Sequence, residues 1–356
     1  MSPDENGAET GAQYVAEIRE QPEALRRLLE HDAEIARIAQ EMHDRDARLV
    51  RLVGHGSSDN AASFGVYAFG LLPNWTAMRD SITLTVHYGK PLDMTGSTVV
   101  GLSQSGRTPD VVEYVKGART AGAFTVAVTN DPSSELALAA DATIPLAAEP
   151  ELAVAATKTY VNTLAALALL AGHVAGRGRE LADGIWRAAE LMEAAIPGLE
   201  RSTAKLALSF SYTGRMFVIG RGVEFATARE IALKLLETCR IAAEPLTATD
   251  LAHGPVAALD PLFPVWAIAS RDGTFDTVQE AATRTRDMGA SLVASGTAAE
   301  LIKGAAFTVP VPMPEPALLS PLLSVVPGQL FASALARARG LDPDAPHGLA
   351  KVTLAS

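Results

Sequence analysis

Short apolar runs recur along this chain, each stopping at glycine, serine or aspartate and each followed by a helical pattern. Residues 51–54, 82–86, 99–102 and 124–128 read as strands, and 143–146 as an edge strand. Val99, Val100 and Leu102 show no polar alternation, as expected of a parallel strand covered on both faces. Helical patterns follow at 60–70 and at 111–121. The second opens on Pro109 and Asp110 and ends before Gly122, a residue suited to a C-cap. Residues 157–173 read as a long apolar helix. The apolar stretch 164–175 is too short and too interrupted to cross a membrane. Residues 14–48 are helical and charged, with Pro22 starting a new helix, and the polar residues 1–13 are expected to be disordered. The alternation predicts an α/β fold.

The second half restates the first. Gly220 in MFVIGRG follows Gly54 in RLVGHG by 166 residues. Ser270 in VWAIASRDG follows Ser103 in VVGLSQSG by 167, and Gly289 follows Gly122 by 167. A register held over three loops indicates two copies of one α/β unit. The expected units are 14–190 and 200–340, joined by a largely helical connection near 176–201 and followed by a tail, 341–356. The proline-rich stretch 310–327 is expected to be a loop leading into a last helix at 329–339.

Bulk properties narrow the partners. The 356 residues, 48% hydrophobic, suffice for two cores of ordinary domain size. A net charge of −11 argues against nucleic acid, and an anionic ligand would have to be held by local donors rather than by the overall field. One cysteine, Cys239, makes no internal disulfide and fits a reducing cytoplasm. The acidic, polar N-terminus does not read as a signal peptide, and no metal-ligand spacing or cofactor fingerprint stands out.

Candidate chemistry sits at the strand–helix junctions. Ser103, Gln104, Ser105 and Thr108 lie between a strand and a helix N-terminus, where hydroxyls, backbone N–H groups and the helix dipole favour a phosphate. Gly56, Ser57 and Ser58 form a similar junction. An ordinary polar loop has the same composition. In the second copy Ser103-Gln104-Ser105 becomes Ser270-Arg271-Asp272, and Asp272 would repel a phosphate, so the first copy is expected to hold it. Glu230, Lys234 and Glu237 share one helical face, which reads either as a solvated ion-pair face or as groups turned toward a substrate. His253 stands in a Gly-Pro loop and Lys351 near the C-terminus, positions that are usually just exposed.

Taken together, EIREQP, GHGSSD, SQSGRT, VAATK, EIALKLLE, HGP and PHGLAK resemble, in order, the tandem sugar isomerase (SIS) domains that form the isomerase half of glucosamine-6-phosphate synthase. The resemblance runs over nearly the whole chain. It implies two doubly wound, flavodoxin-like parallel sheets flanked by helices. It implies that Gly56, Ser57, Ser58, Ser103, Gln104, Ser105 and Thr108 bind a sugar phosphate, and that Val154 and Ala350 line the sugar through their backbones. Glu237 would move a proton between C1 and C2, with Lys234 beside it. His253 would assist ring opening from the partner subunit of a homodimer, and Lys351 would meet the sugar carbonyl, as a Schiff-base amine in the synthase.

Departures bear on substrate. The synthase's glutaminase domain and its cysteine are not seen here, Ser2 following Met1. Arg107 replaces a glutamate, Ala156 a serine, and His347 and Gly348 an arginine and an asparagine. Arg107 is either a phosphate contact or a surface charge. The expected activity is a cytoplasmic glucosamine 6-phosphate deaminase/isomerase without a cofactor. The alternatives are a deglycase or isomerase on another phosphosugar, for example a fructosamine 6-phosphate, and a non-catalytic sugar-phosphate regulator.

Overall fold

A computed structural model describes residues 10–351; residues 1–9 and 352–356, and the expectations that fall on them, lie outside the described residues. Three helices open the fold: α1 (Ala12–Arg19), α2 (Gln21–Leu29) and α3 (Asp32–Asp44). Helix thus begins within the 1–13 stretch expected to be disordered. The Asp344 carboxylate accepts the N–H groups of Gly11, Gln13 and Tyr14, so a residue near the C-terminus satisfies the orphan donors of the first helix.

The first sheet is built from β1 (Leu49–Val53), α4 (Ser57–Leu71), β2 (Thr76–Arg79), α5 (Ile82–Val86), β3 (Ser97–Leu102), α6 (Pro109–Thr120), β4 (Phe124–Thr129), α7 (Glu135–Ala139) and β5 (Ala142–Pro145). All strands are parallel, in the order β2-β1-β3-β4-β5. β3 and β4 are buried at every residue, which accounts for their continuous apolar runs. Two helices follow, α8 (Lys158–Val174) and α9 (Gly178–Ser209). The second sheet uses β6 (Arg215–Gly220), α10 (Glu224–Cys239), β7 (Ala242–Thr247), β8 (Pro264–Ile268), α11 (Phe275–Asp287), β9 (Ser291–Gly296) and β10 (Phe307–Pro310), and the chain ends on α12 (Ser320–Ser324) and α13 (Val326–Ala338). Its order, β7-β6-β8-β9-β10, is that of the first sheet, so the repeat read from glycine and serine spacing is a repeat of topology.

α8 is buried on almost every side, with α2, α3, α4 and α9 packed around it, and α9 packs in turn on α13 and α13 on α10, so one apolar core runs from the first sheet to the second. Residues 317–338 are long and apolar enough to cross a membrane, but most of that stretch is buried here in the core.

Two expectations fail. Residues 82–86 form a helix, not a strand. A five-residue β-branched run satisfies both patterns, and packing of α5 on α6 through Ile82 decides between them. The edge of the sheet is taken instead by β2, whose exposed, mixed residues carry no strand signal. The proline-rich stretch 310–327 is not simply a loop: it holds α12 and the start of α13. Pro321 and Pro327 both sit in first helical turns, where a missing N–H costs nothing.

Candidate active site

A cavity of about 490 Å³ opens at the carboxyl ends of the first sheet's strands, where parallel sheets place their ligands. Gly56, Ser57 and Ser58 reach it from the β1–α4 junction, and Ser103, Gln104, Ser105 and Thr108 from the β3–α6 junction. Gly56 adopts φ +55° and turns the chain so that α4 points its N-terminus at the cavity. Ser103 Oγ and Thr108 Oγ1 are 3.0 Å apart, and the Gln104 carbonyl is tied down by Asn130 N–H at 3.0 Å. Gly106 has φ +62°, and a Cβ there would fall 1.9 Å from Ser134 Oγ, so the loop closes only on glycine. The cradle is neutral apart from Asp110, which also faces the cavity and lies 3.3 Å from His87 Nε2 and 3.7 Å from His55 Nε2.

Ser57 links this cavity to buried charges on α10. Its hydroxyl donates to Glu230 Oε1 at 2.9 Å and lies 3.3 Å from Lys234 Nζ. Lys234 is 2.6 Å from Glu237 Oε2 and 3.3 Å from Glu230 Oε1. Asn60 donates to the other Glu230 oxygen at 2.8 Å. Burial would lower the Lys234 ammonium, but the two carboxylates outweigh it and hold the pKa above the usual lysine range. Glu230 is fully buried, and that burial pushes its carboxyl up despite Lys234 and its two hydrogen bonds.

The tail closes the far wall. Lys351 Nζ lies 2.6 Å from both Glu151 Oε2 and the Ala153 carbonyl. Glu151 also accepts the N–H groups of Thr157 and Thr159 at 3.0 and 3.1 Å and the Thr159 hydroxyl at 2.8 Å. Burial alone would raise its carboxyl, but Lys351 and these donors hold it below the usual range. The same loop is fixed from behind by Glu17 of the EIREQP segment, which accepts Leu152 N–H at 2.5 Å and Ala153 N–H at 3.2 Å. Val154 N–H donates to the Asp344 carbonyl, joining loop and tail.

The cavity therefore gathers Gly56, Ser57, Ser58, Ser103, Gln104, Ser105, Thr108, Val154 and Lys351. Ala350 is exposed beside Lys351 and is not in its wall. Lys234 and Glu237 stand behind Ser57. His253 is exposed on the loop after β7, away from this cavity. Arg107 is 61% exposed and pairs with Asp131 at 3.5 Å, which makes it a surface charge. Ala156, where the resemblance has serine, is in the wall, whereas His347 and Gly348 are exposed. Sequence reasoning missed His55, Asp110 and Glu151. The last lies three residues before Val154, within the same loop.

In the second sheet the corresponding cradle is filled by the chain itself. Glu224, at the repeat position of Ser58, is buried and accepts the hydroxyls of Ser270 and Thr227 at 2.6 Å and of Ser324 at 2.9 Å. Asp272 accepts the Thr274 N–H at 2.8 Å and the Thr274 hydroxyl at 2.6 Å, which fixes a local turn just before α11.

Residues 45–172 and 209–337 each match the SIS domain family. The isomerizing glutamine–fructose-6-phosphate aminotransferase of Thermococcus kodakarensis is 36% identical over 345 residues, covering 94% of this chain and 56% of the relative. The chain spans about half the length of the curated relatives it matches. A crystal structure from Silicibacter pomeroyi DSS-3, whose own assignment as a phosphosugar isomerase is a proposal, superposes with a TM-score of 0.83 at 32% identity over 93% of this chain and 99% of that one. The glucosamine-6-phosphate deaminase of Thermotoga maritima shares the fold, with a TM-score of 0.77 at 21% identity over 97% of this chain and all of that one. The chain belongs to the SIS domain family and carries two copies of that domain in tandem.

Proposed function

We propose that this chain is a phosphosugar deaminase/isomerase that converts glucosamine 6-phosphate and water to fructose 6-phosphate and ammonia. The observation that carries the reading is Ser57: one residue belongs to the hydroxyl-lined cradle and touches the buried Glu230–Lys234 pair, to which the half-buried Glu237 is joined. Anchoring the phosphate among hydroxyls and a helix N-terminus fixes the sugar, and proton transfer then requires one carboxylate that serves both carbons. Glu237 takes the C2 proton and delivers it to C1, while the amine N–H proton moves to O1. This leaves a C2 imine that water hydrolyses to ketone and ammonia. Lys234 holds Glu237 in place. His253 reaches the sugar from a second copy in a homodimer, consistent with its exposure here.

The test is ammonia release from glucosamine 6-phosphate. Wild-type protein should release it and Glu237→Gln should lose about 10²-fold or more in kcat. Mixing Glu237→Gln with His253→Ala should recover part of the activity if the site is shared. No release at millimolar substrate excludes the deaminase. Ala156 in the cavity wall favours a second reading, a deglycase on a fructosamine 6-phosphate, because it opens space where a serine would contact the sugar. Amino acid release from such a conjugate, with none from glucosamine 6-phosphate, would select that reading.

A further inference from the structure

The inference rests on the phosphosugar reading and concerns what the tail lysine does there. Imine formation requires a neutral amine: the nitrogen lone pair attacks a carbonyl carbon, water leaves, and the proton carried by an ammonium must first go elsewhere. Lys351 is not placed as a free amine. Its Nζ touches a buried carboxylate and a backbone carbonyl, two acceptors each at 2.6 Å. Glu151, the carboxylate, is fixed by four further donors and cannot swing away without leaving Thr157 and Thr159 unpaired. The carbonyl belongs to Ala153, whose N–H is held by Glu17. Held this way, the Lys351 ammonium is an ion-paired cation fixed in the cavity wall.

We propose that Lys351 acts as a fixed cation on the substrate oxygen rather than as a covalent amine, with Glu151 as its positioning residue. When the C2 proton of an opened aldose passes to a carboxylate, the C–H electrons form the C1–C2 double bond and the carbonyl electrons move onto O1. The ammonium in the cavity wall stabilises that oxyanion, and no bond to Lys351 forms or breaks. The ammonia then derives from the substrate's own amino group, which needs no enzyme amine as carrier. This separates the chain from an enzyme that must hold a ketose while a nitrogen is added.

Four measurements test this. Borohydride reduction in the presence of fructose 6-phosphate should give no sugar adduct at Lys351 by mass spectrometry. Lys351→Arg, which keeps the charge but forms no imine, should retain at least about a tenth of wild-type kcat/KM, while Lys351→Met should lose about 10²-fold, the scale of one oxyanion contact. Binding of 5-phosphoarabinonohydroxamate, an enediolate mimic, should weaken in Lys351→Met and much less in Lys351→Arg. Glu151→Gln should weaken the hydroxamate more than it weakens fructose 6-phosphate, a split that a purely structural carboxylate would not produce. A borohydride-dependent adduct at Lys351 overturns the proposal, as does a Lys351→Arg variant that is folded and as inactive as Lys351→Met. If wild-type protein neither turns over a phosphosugar nor binds the hydroxamate, the phosphosugar reading itself falls. That result is distinct from a trapped adduct, which refutes only the cation role.

Discussion

Removing the charge of Lys234 while keeping its bulk, by Lys234→Met, should destabilise the protein in a pH-dependent way. Lys234 is 1% exposed and is the cation between Glu237 at 2.6 Å and Glu230 at 3.3 Å, and Glu230 is wholly buried. The Lys234 pKa is raised on folding, so its favourable contribution is complete below the ordinary lysine value of about 10.4 and is lost only above it. Glu230 runs the opposite way. Its carboxyl is pushed up by burial, so the folded state binds a proton that the unfolded chain, with a pKa of about 4.3, releases. Its contribution therefore falls as pH rises through the folded value. Without Lys234 that value moves higher still, and the loss continues at about 1.4 kcal/mol per pH unit until Glu230 ionises. At pH 5 the variant can neutralise Glu230 by protonation and should lose only the packing and hydrogen bonds of one ammonium. At pH 8 it should lose about 3–5 kcal/mol, the scale for a buried ion pair with one partner removed. Urea titrations at both pH values, read by the fluorescence of Trp75, Trp186 and Trp266, give the two differences from wild type. The same loss at pH 5 and pH 8 would refute the claim that Lys234 is what keeps Glu230 ionised.

The two cradle glycines should respond differently to alanine. Gly106→Ala places a methyl 1.9 Å from Ser134 Oγ and 2.4 Å from its Cβ at φ +62°, and should cost more than about 2 kcal/mol and weaken inorganic phosphate binding at least tenfold. Gly56→Ala meets only Leu233 Cδ2 at 4.0 Å, so it should cost about 1–2 kcal/mol from backbone strain alone; thermal unfolding with phosphate calorimetry compares them, and equal effects would contradict the packing argument. Glu17→Ala removes the acceptor of Leu152 and Ala153 N–H, and hydrogen exchange at these two amides should accelerate at least tenfold while that of β3 stays unchanged.

What could be read before the structure follows from where the information lies. The Ser103–Thr108 cradle was legible because donor type and helix start are both local, and the repeat because it depends on glycines needed in the same turn twice, Gly56 at φ +55° and Gly222 at φ +61°. The pairing of Glu151 with Lys351 was not, since the partners lie 200 residues apart and nothing local separates a buried carboxylate from a solvated one. Glu17 was hidden the same way: its partners are the N–H groups of residues 152 and 153, and backbone donors leave no trace in residue type. Residues 82–86 and 310–327 failed for a third reason. Short β-branched runs and proline-rich runs are undecided locally, and tertiary packing chose helix in both.

Glu224 carries the asymmetry between the copies further than Asp272 does. Duplicating an anion cradle leaves a second set of hydroxyls and N–H groups that must find partners once burial removes water. In the first copy the position after the turn is Ser58, a small group facing an open cavity. In the second it is Glu224, and its carboxylate meets the hydroxyl of Ser270, the counterpart of Ser103. Ser324 of α12 and Thr227 complete the shell. A carboxylate bonded to three hydroxyls satisfies the old cradle from within, and the helices that cover it are then free to pack. Satisfying that cradle internally makes the second sheet a rigid support for α10, and α10 is the element that sets Lys234 against Ser57 of the open cradle in the first.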